Sequence, residues 1–277
     1  MIETLALPFQ LPFLRDAMLA ALLVAAPCGL LSTFLVLKGW SLIGDAISHA
    51  VLPGVVGAYI LGLPLIVGAF AAGMGSALLT GWLDTHSRVK RDTLMGVVFS
   101  GMFAVGLVLI TWIAPGIHLD HILFGNLLGV ASVELWTAGI IAGIILVVMA
   151  LRWRDFLLHA FDPTQARASG LRTGWLHHGL LAMISAAIVS ALGAVGIILV
   201  IALLVTPGAI AFLLTDRFGT MLWTSMGIAC GSAIAGLYLS IALDSAPAAT
   251  IVVVLTALFL CALVWRGTRR ALQPGHD

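Results

Sequence analysis

The chain has 277 residues, 61% of them hydrophobic and only 9% charged, with a formal net charge of +1. A mean hydropathy of +1.16 exceeds what a water-soluble core requires, and windows of about 20 apolar residues recur along the chain. Porin-like barrels are excluded because runs such as GIIAGIILVVMAL show no alternation of polarity, and the near-zero charge offers no surface for nucleic acid. The expected fold is all-α: one polytopic transmembrane helical domain covering residues 1–277.

The opening stretch, MIETLALPFQLPFLRD, is Pro-containing and lacks a basic segment before its apolar residues, so it does not read as a cleaved signal peptide. Apolar windows and their breakers give spans near 14–37, 47–63, 65–83, 94–114, 133–151, 178–195, 196–214, 219–242 and 248–265. The boundary in GAVG, residues 193–196, is either a tight turn or a flexible point in one long helix, so the count is eight or nine. Basic residues decide the orientation. Lys38, the Arg88, Lys90 and Arg91 group, the Arg152, Arg154, Arg167 and Arg172 group, Arg217, and Arg266, Arg269 and Arg270 gather in alternate connections. The intervening outer set, near Pro64, over 115–132 and near 244–247, contains no Lys or Arg. Nine spans with the N-terminus outside satisfy this split, whereas eight put one basic loop on the wrong side.

Residues 38–54 read KGWSLIGDAISHAVLPG and place Asp45 and His49 in otherwise apolar sequence. The i, i+4 spacing sets both side chains on one helix face. An ionisable pair inside an apolar span is costly, and a carboxylate oxygen with an imidazole nitrogen suits borderline divalent metals such as Mn, Fe or Zn. A hydrogen-bonded pair that only stabilises helix packing is the competing reading. If the pair does ligate a metal, loading is pH-sensitive, because a protonated His49 cannot bind one. Pro53 and Gly54 follow at once and are expected to kink or break their helix, and Pro207 and Gly208, a second such pair in IALLVTPGAIAFLL, are expected to interrupt theirs. Broken helices are a recurrent transporter device.

Residues 115–134, PGIHLDHILFGNLLGVASVE, are too short and broken for another span, and a re-entrant or interfacial helix on the outer side is expected. His118, Asp120 and His121 crowd there, either as a polar mouth at the membrane surface or as a metal site. The longest polar interval, 152–178, holds FDPTQARASG, a short helix specified at both ends. Asp162 can cap it, Pro163 suits its first position and Gly170 its left-handed C-terminal position. So short a helix needs a partner surface. Cys28, Cys230 and Cys261 are widely spaced and read as small hydrophobes rather than disulfides or metal ligands. GxxxxGK[ST], GxSxG and HExxH are absent, so the chain offers neither its own ATPase loop nor a hydrolytic site.

Four segments, LVLKGWSLIGDAISHAVLPGVVGAY, HLDHILFGNLLGV, RWRDFLLHAFDPTQARASGLR and IALLVTPGAIAFLLTDRF, resemble the membrane subunit of bacterial ABC importers for manganese, zinc and iron. The likeness covers essentially the whole chain and is strongest to the manganese/iron branch. It implies an inner-membrane, multi-pass permease that is not itself an enzyme and binds no permanent cofactor. Its implied partners are a second permease subunit, identical or paralogous, a cytoplasmic ATPase that uses ATP, and an extracytoplasmic metal-binding protein. The resemblance puts the metal-contacting residues at Asp45 and His49. It puts the coupling helix over 161–170, with Phe161, Asp162, Pro163, Ala166 and Gly170. Transported Mn2+, Fe2+ or Zn2+ is the implied cargo. The alternatives are a proton-coupled secondary metal transporter and an ABC permease for a chelated metal such as a siderophore.

Overall fold

The computed structural model describes residues 11–113, 125 and 127–271. Among these the chain is helical: α1 (Pro12–Lys38), α2 (Ile43–Leu61), α3 (Leu65–His86), α4 (Arg91–Ile113), a 3-10 turn (Leu127–Gly129), α5 (Ser132–Phe161), α6 (Pro163–Ala168), α7 (Thr173–Leu214), α8 (Phe218–Leu243) and α9 (Pro247–Ala271). Eight of these helices are long and apolar enough to cross a membrane.

The longest, α7, is two antiparallel rods. As a straight helix its 42 residues would hold its ends about 63 Å apart at the usual rise. Instead, the inner end of α1 touches both ends. The Trp40 and His177 rings lie 5.4 Å apart at one end, and Phe34 and Phe218 lie 5.1 Å apart just beyond the other. The reversal falls at Gly196, whose φ of 79° and ψ of 168° are non-helical and open only to glycine. Spans 173–195 and 197–214 therefore form a hairpin, so the eight apolar helices of the described residues make nine passages. The turn at 193–196 is the expected boundary.

α1 and the α7 hairpin form the centre, with α5, α8 and α9 packed on one side and α2, α3 and α4 on the other. Leu31, Phe34 and Leu35 of α1 are fully enclosed, as are Ile184, Ile188, Leu199, Val200 and Leu203 of α7. Cys28 is buried, Cys230 half-buried and Cys261 exposed, and none is paired in a disulfide. α5 runs ten residues past the expected 151 boundary, to Phe161, and so carries the polar interval out beyond the membrane. The expected re-entrant helix at 115–134 lies largely outside the described residues, which show only the 3-10 turn there.

Neither proline–glycine pair interrupts its helix as expected. α2 is helical through Pro53 and Gly54, and Gly196 is the non-helical residue in α7, not Pro207 or Gly208. The physical reasons differ at the two places. Gly54 serves close approach: a Cβ there would sit 2.1 Å from the Gly68 carbonyl oxygen of α3, so the two helices meet backbone to backbone. At Pro207, a hydroxyl from a neighbouring helix compensates the disturbed ladder. The Gly208 N–H donates to Ser32 Oγ at 2.9 Å, and that hydroxyl donates to the Val205 carbonyl at 3.1 Å. A serine of α1 thus bonds to backbone groups on both sides of Pro207 within the protein interior. Replacing Ser32 by Ala removes both inter-helix bonds and should destabilise the purified protein by about 1–3 kcal/mol. An unchanged unfolding midpoint in detergent would contradict this.

Candidate functional site in the membrane

α2 places Asp45 and His49 on one face, one turn apart, as the spacing requires. His49 Nδ1 lies 3.3 Å from Asp45 Oδ1 and 3.0 Å from the Asp45 backbone oxygen. With the proton on Nδ1, the ring donates to Asp45 and its Nε2 keeps a lone pair free to ligate. The second Asp45 carboxylate oxygen remains available as well. Both side chains are partly open, 27% for His49 and 33% for Asp45, so the pair is not sealed among neighbours of its own chain.

Two phenylalanines of α4 hold the imidazole. Its centroid lies 5.4 Å from Phe99 and 5.3 Å from Phe103. Rings on two sides restrict its rotation and exclude water from those faces. Sequence reasoning gave neither phenylalanine a role, although their own i, i+4 spacing is a usable signal. Pro53 adds a further polar atom, because it has no N–H to offer the His49 carbonyl four residues earlier. The residue expected to break the helix instead leaves that oxygen without its usual helical donor, beside the imidazole.

Outward of the pair lies a cleft of about 460 Å³ bordered by Val51, Val55, Glu134, Thr137, Ser190 and Gly193. Glu134, which had no assigned role, turns one carboxylate oxygen to the Ala131 N–H at 3.1 Å and caps α5. Among the described residues, no three His, Cys, Asp or Glu come together as a metal cluster. Among the described residues, Asp45 and His49 are thus the two candidate side-chain ligands at this place. His118, Asp120 and His121 lie outside the described residues.

On the inner side, α6 occupies the heart of the expected 161–170 segment and is terminated at both ends as read. Asp162 Oδ1 accepts from the N–H groups of Thr164 at 2.9 Å and Gln165 at 3.0 Å, and Pro163 takes the first turn. Hydrogen bonds from the Thr164 hydroxyl and the Gln165 N–H hold the Asp162 carboxyl below the usual carboxylate range. At the other end Gly170, with φ 79°, donates to Arg167 O, while Leu171 donates to Ala166 O, both at 3.0 Å. Ala166 is buried, whereas Phe161 is 65% exposed. Behind α6, His159 of α5 and Trp40 both meet the His177 ring, at 6.2 and 5.4 Å. That edge-to-face cluster ties the inner ends of α1, α5 and α7 together.

The model of the ABC 3 transport family matches residues 10–266. A probable iron transport system membrane protein of Haemophilus influenzae is 48% identical over 97% of this chain and 99% of its own length. The chelated iron transport system membrane protein YfeD of Yersinia pestis is 48% identical, covering 93% of this chain and 87% of its own. The manganese transport system membrane protein MntB of Synechocystis is 47% identical, over 93% and 84%. In three dimensions, PsaBC from Streptococcus pneumoniae, solved in complex with Fab, superposes with a TM-score of 0.85 at 32% identity, covering 95% of both chains. With nine apolar passages and a family match over nearly its whole length, the chain is a multi-pass membrane protein that belongs to the ABC 3 transport family.

Proposed function

We propose that the chain is the permease subunit of an ABC importer and passes Mn2+ or Fe2+, with Zn2+ as a further candidate, between Asp45 and His49. The observation that carries this reading is the partly open carboxylate–imidazole pair on α2, oriented Nδ1 to Oδ1 at 3.3 Å. Its donor types suit those metals. Two side chains are too few to trap such an ion, and a conduit requires a site weak enough to release it. A second permease subunit, identical or paralogous, doubles the ligand set across a two-fold interface.

An extracytoplasmic metal-binding protein delivers the ion on the outer side, where basic residues are sparse, toward the segment with His118, Asp120 and His121. A cytoplasmic ATPase docks on α6, with Phe161 as the exposed apolar contact and Asp162, Pro163, Ala166 and Gly170 fixing the helix ends. The chain has no ATP-binding loop, so ATP is consumed by the partner. The inner membrane follows from this assembly. The relatives are named for both manganese and chelated iron, which gives a chelated metal the second place among cargoes. Competition of uptake by free Mn2+ against an iron chelate separates the two.

Asp45→Ala should lower metal uptake by about 10- to 100-fold or more, while the assembled transporter keeps its basal ATP hydrolysis. Undiminished uptake would overturn the site assignment. His49→Gln, which replaces the imidazole nitrogen with an amide, should lower uptake to a similar extent; undiminished uptake would count against it.

For α6, the lowered carboxyl of Asp162 means that the charged cap is fully present above the ordinary aspartate range and is lost only as pH falls through its depressed value. Asp162→Ala should therefore weaken ATPase co-purification across neutral pH and leave metal binding at Asp45 intact. Equal recovery of the ATPase subunit would refute the docking role of that cap.

A further inference from the structure

On the opposite side of the bundle from Asp45, α1, α5 and α8 leave a cleft of about 370 Å³. Its walls include Leu30, Met149, Trp153, Gly219, Trp223 and Met226, an almost wholly apolar lining. α2, which carries the candidate metal pair, packs on α3, α4 and α7, so the cleft is not part of that pathway. Gly219 is the second residue of α8, which sets the cleft's mouth at the basic, inner end of the bundle. Trp223 is 70% exposed there, as tryptophans are where membrane meets water.

The rim is charged in a way that the lining is not. The Arg154 guanidinium sits over the Trp153 ring at 5.4 Å. Trp153 in turn stacks on Phe218 at 6.4 Å and 17°, and Phe218 directly follows Arg217, the N-cap of α8. Both arginines thus flank one aromatic pair at the lip of the cleft. Both are exposed, and among the described residues neither is ion-paired to a carboxylate. In a bilayer an apolar cleft open to the side is filled by hydrocarbon, not water. Paired basic groups between helices at the inner surface select an anionic headgroup, and arginine stacked on an aromatic face presents a planar fork to phosphate.

We propose that this cleft binds an anionic phospholipid of the inner leaflet, one acyl chain lying between α5 and α8 and the phosphate held by Arg154 and Arg217. The bound chain fills the gap beside Trp153, and so bears on the α5 helix that leads directly into α6. This site stands or falls independently of the cargo.

The test uses the complete transporter in nanodiscs of equal parts phosphatidylethanolamine and phosphatidylglycerol. Native mass spectrometry reads which lipid stays on the chain. Phosphatidylglycerol should be retained over phosphatidylethanolamine by about tenfold, and the double change Arg154→Gln with Arg217→Gln, at exposed positions, should bring the ratio to parity. Gly219→Leu, which places a side chain toward Trp153 and into the cleft, should reduce retained lipid of both kinds with the arginines intact. Headgroup-indifferent retention, or a preference unmoved by the arginine changes, overturns the proposal. So does efficient cross-linking of Trp223→Cys to another subunit, because a protein helix would then cover the cleft.

Discussion

Inside a bilayer a backbone group without a partner is costly, and hydroxyl bonds that join α1 to its neighbours organise the centre of this structure. The hydroxyl of Ser32 is the plainest instance, accepting from Gly208 N–H and donating to Val205 O across the contact between α1 and the returning arm of α7. Ser225 does the same on the other flank, donating to the Gly29 carbonyl at 2.6 Å. With those bonds made, small residues can bring the backbones together without exposing them. The α7 hairpin is then held against α1 on both of its arms, and the remaining helices arrange around that centre.

Asp45 and His49, unlike Ser32 and Ser225, are only partly enclosed. Nδ1 of His49 meets the Asp45 backbone oxygen at 3.0 Å and lies 3.3 Å from its Oδ1, which leaves Nε2 unused by that contact. Phe99 and Phe103 fix the ring, and Pro53 supplies no N–H to the His49 carbonyl. The same local sequence therefore sets ligand type, ring orientation and a free backbone oxygen. A packing device would call for none of the remaining openness, whereas an ion passage requires it.

Much of this was legible before any coordinates. The membrane class follows from composition, the nine passages from alternating basic loops, and α6 from Asp162, Pro163 and Gly170, because caps are local chemistry that sequence states directly. What could not be read was tertiary. Pro207–Gly208 looked like a break since its rescuer, Ser32, lies far away in sequence. Gly54 looked like a hinge since its contact with Gly68 belongs to another helix. The actual break, Gly196, was one of two readings of GAVG, and only the contacts at both ends of α7 choose between them. The i, i+4 spacing of Phe99 and Phe103 sets them on one helix face, but nothing local says that this face meets His49.

Whether a metal ion meets the imidazole of His49 is the point on which the functional account turns, and Mn2+ itself can report it. Pulsed electron paramagnetic resonance on the complete transporter, loaded with Mn2+ and grown with 15N-labelled histidine, detects nitrogen bound directly to the ion. The account predicts a histidine nitrogen coupling in the parent that disappears in His49→Gln while the fold is retained. A Mn2+ spectrum showing oxygen ligands alone, or a nitrogen coupling that survives the substitution, would contradict it.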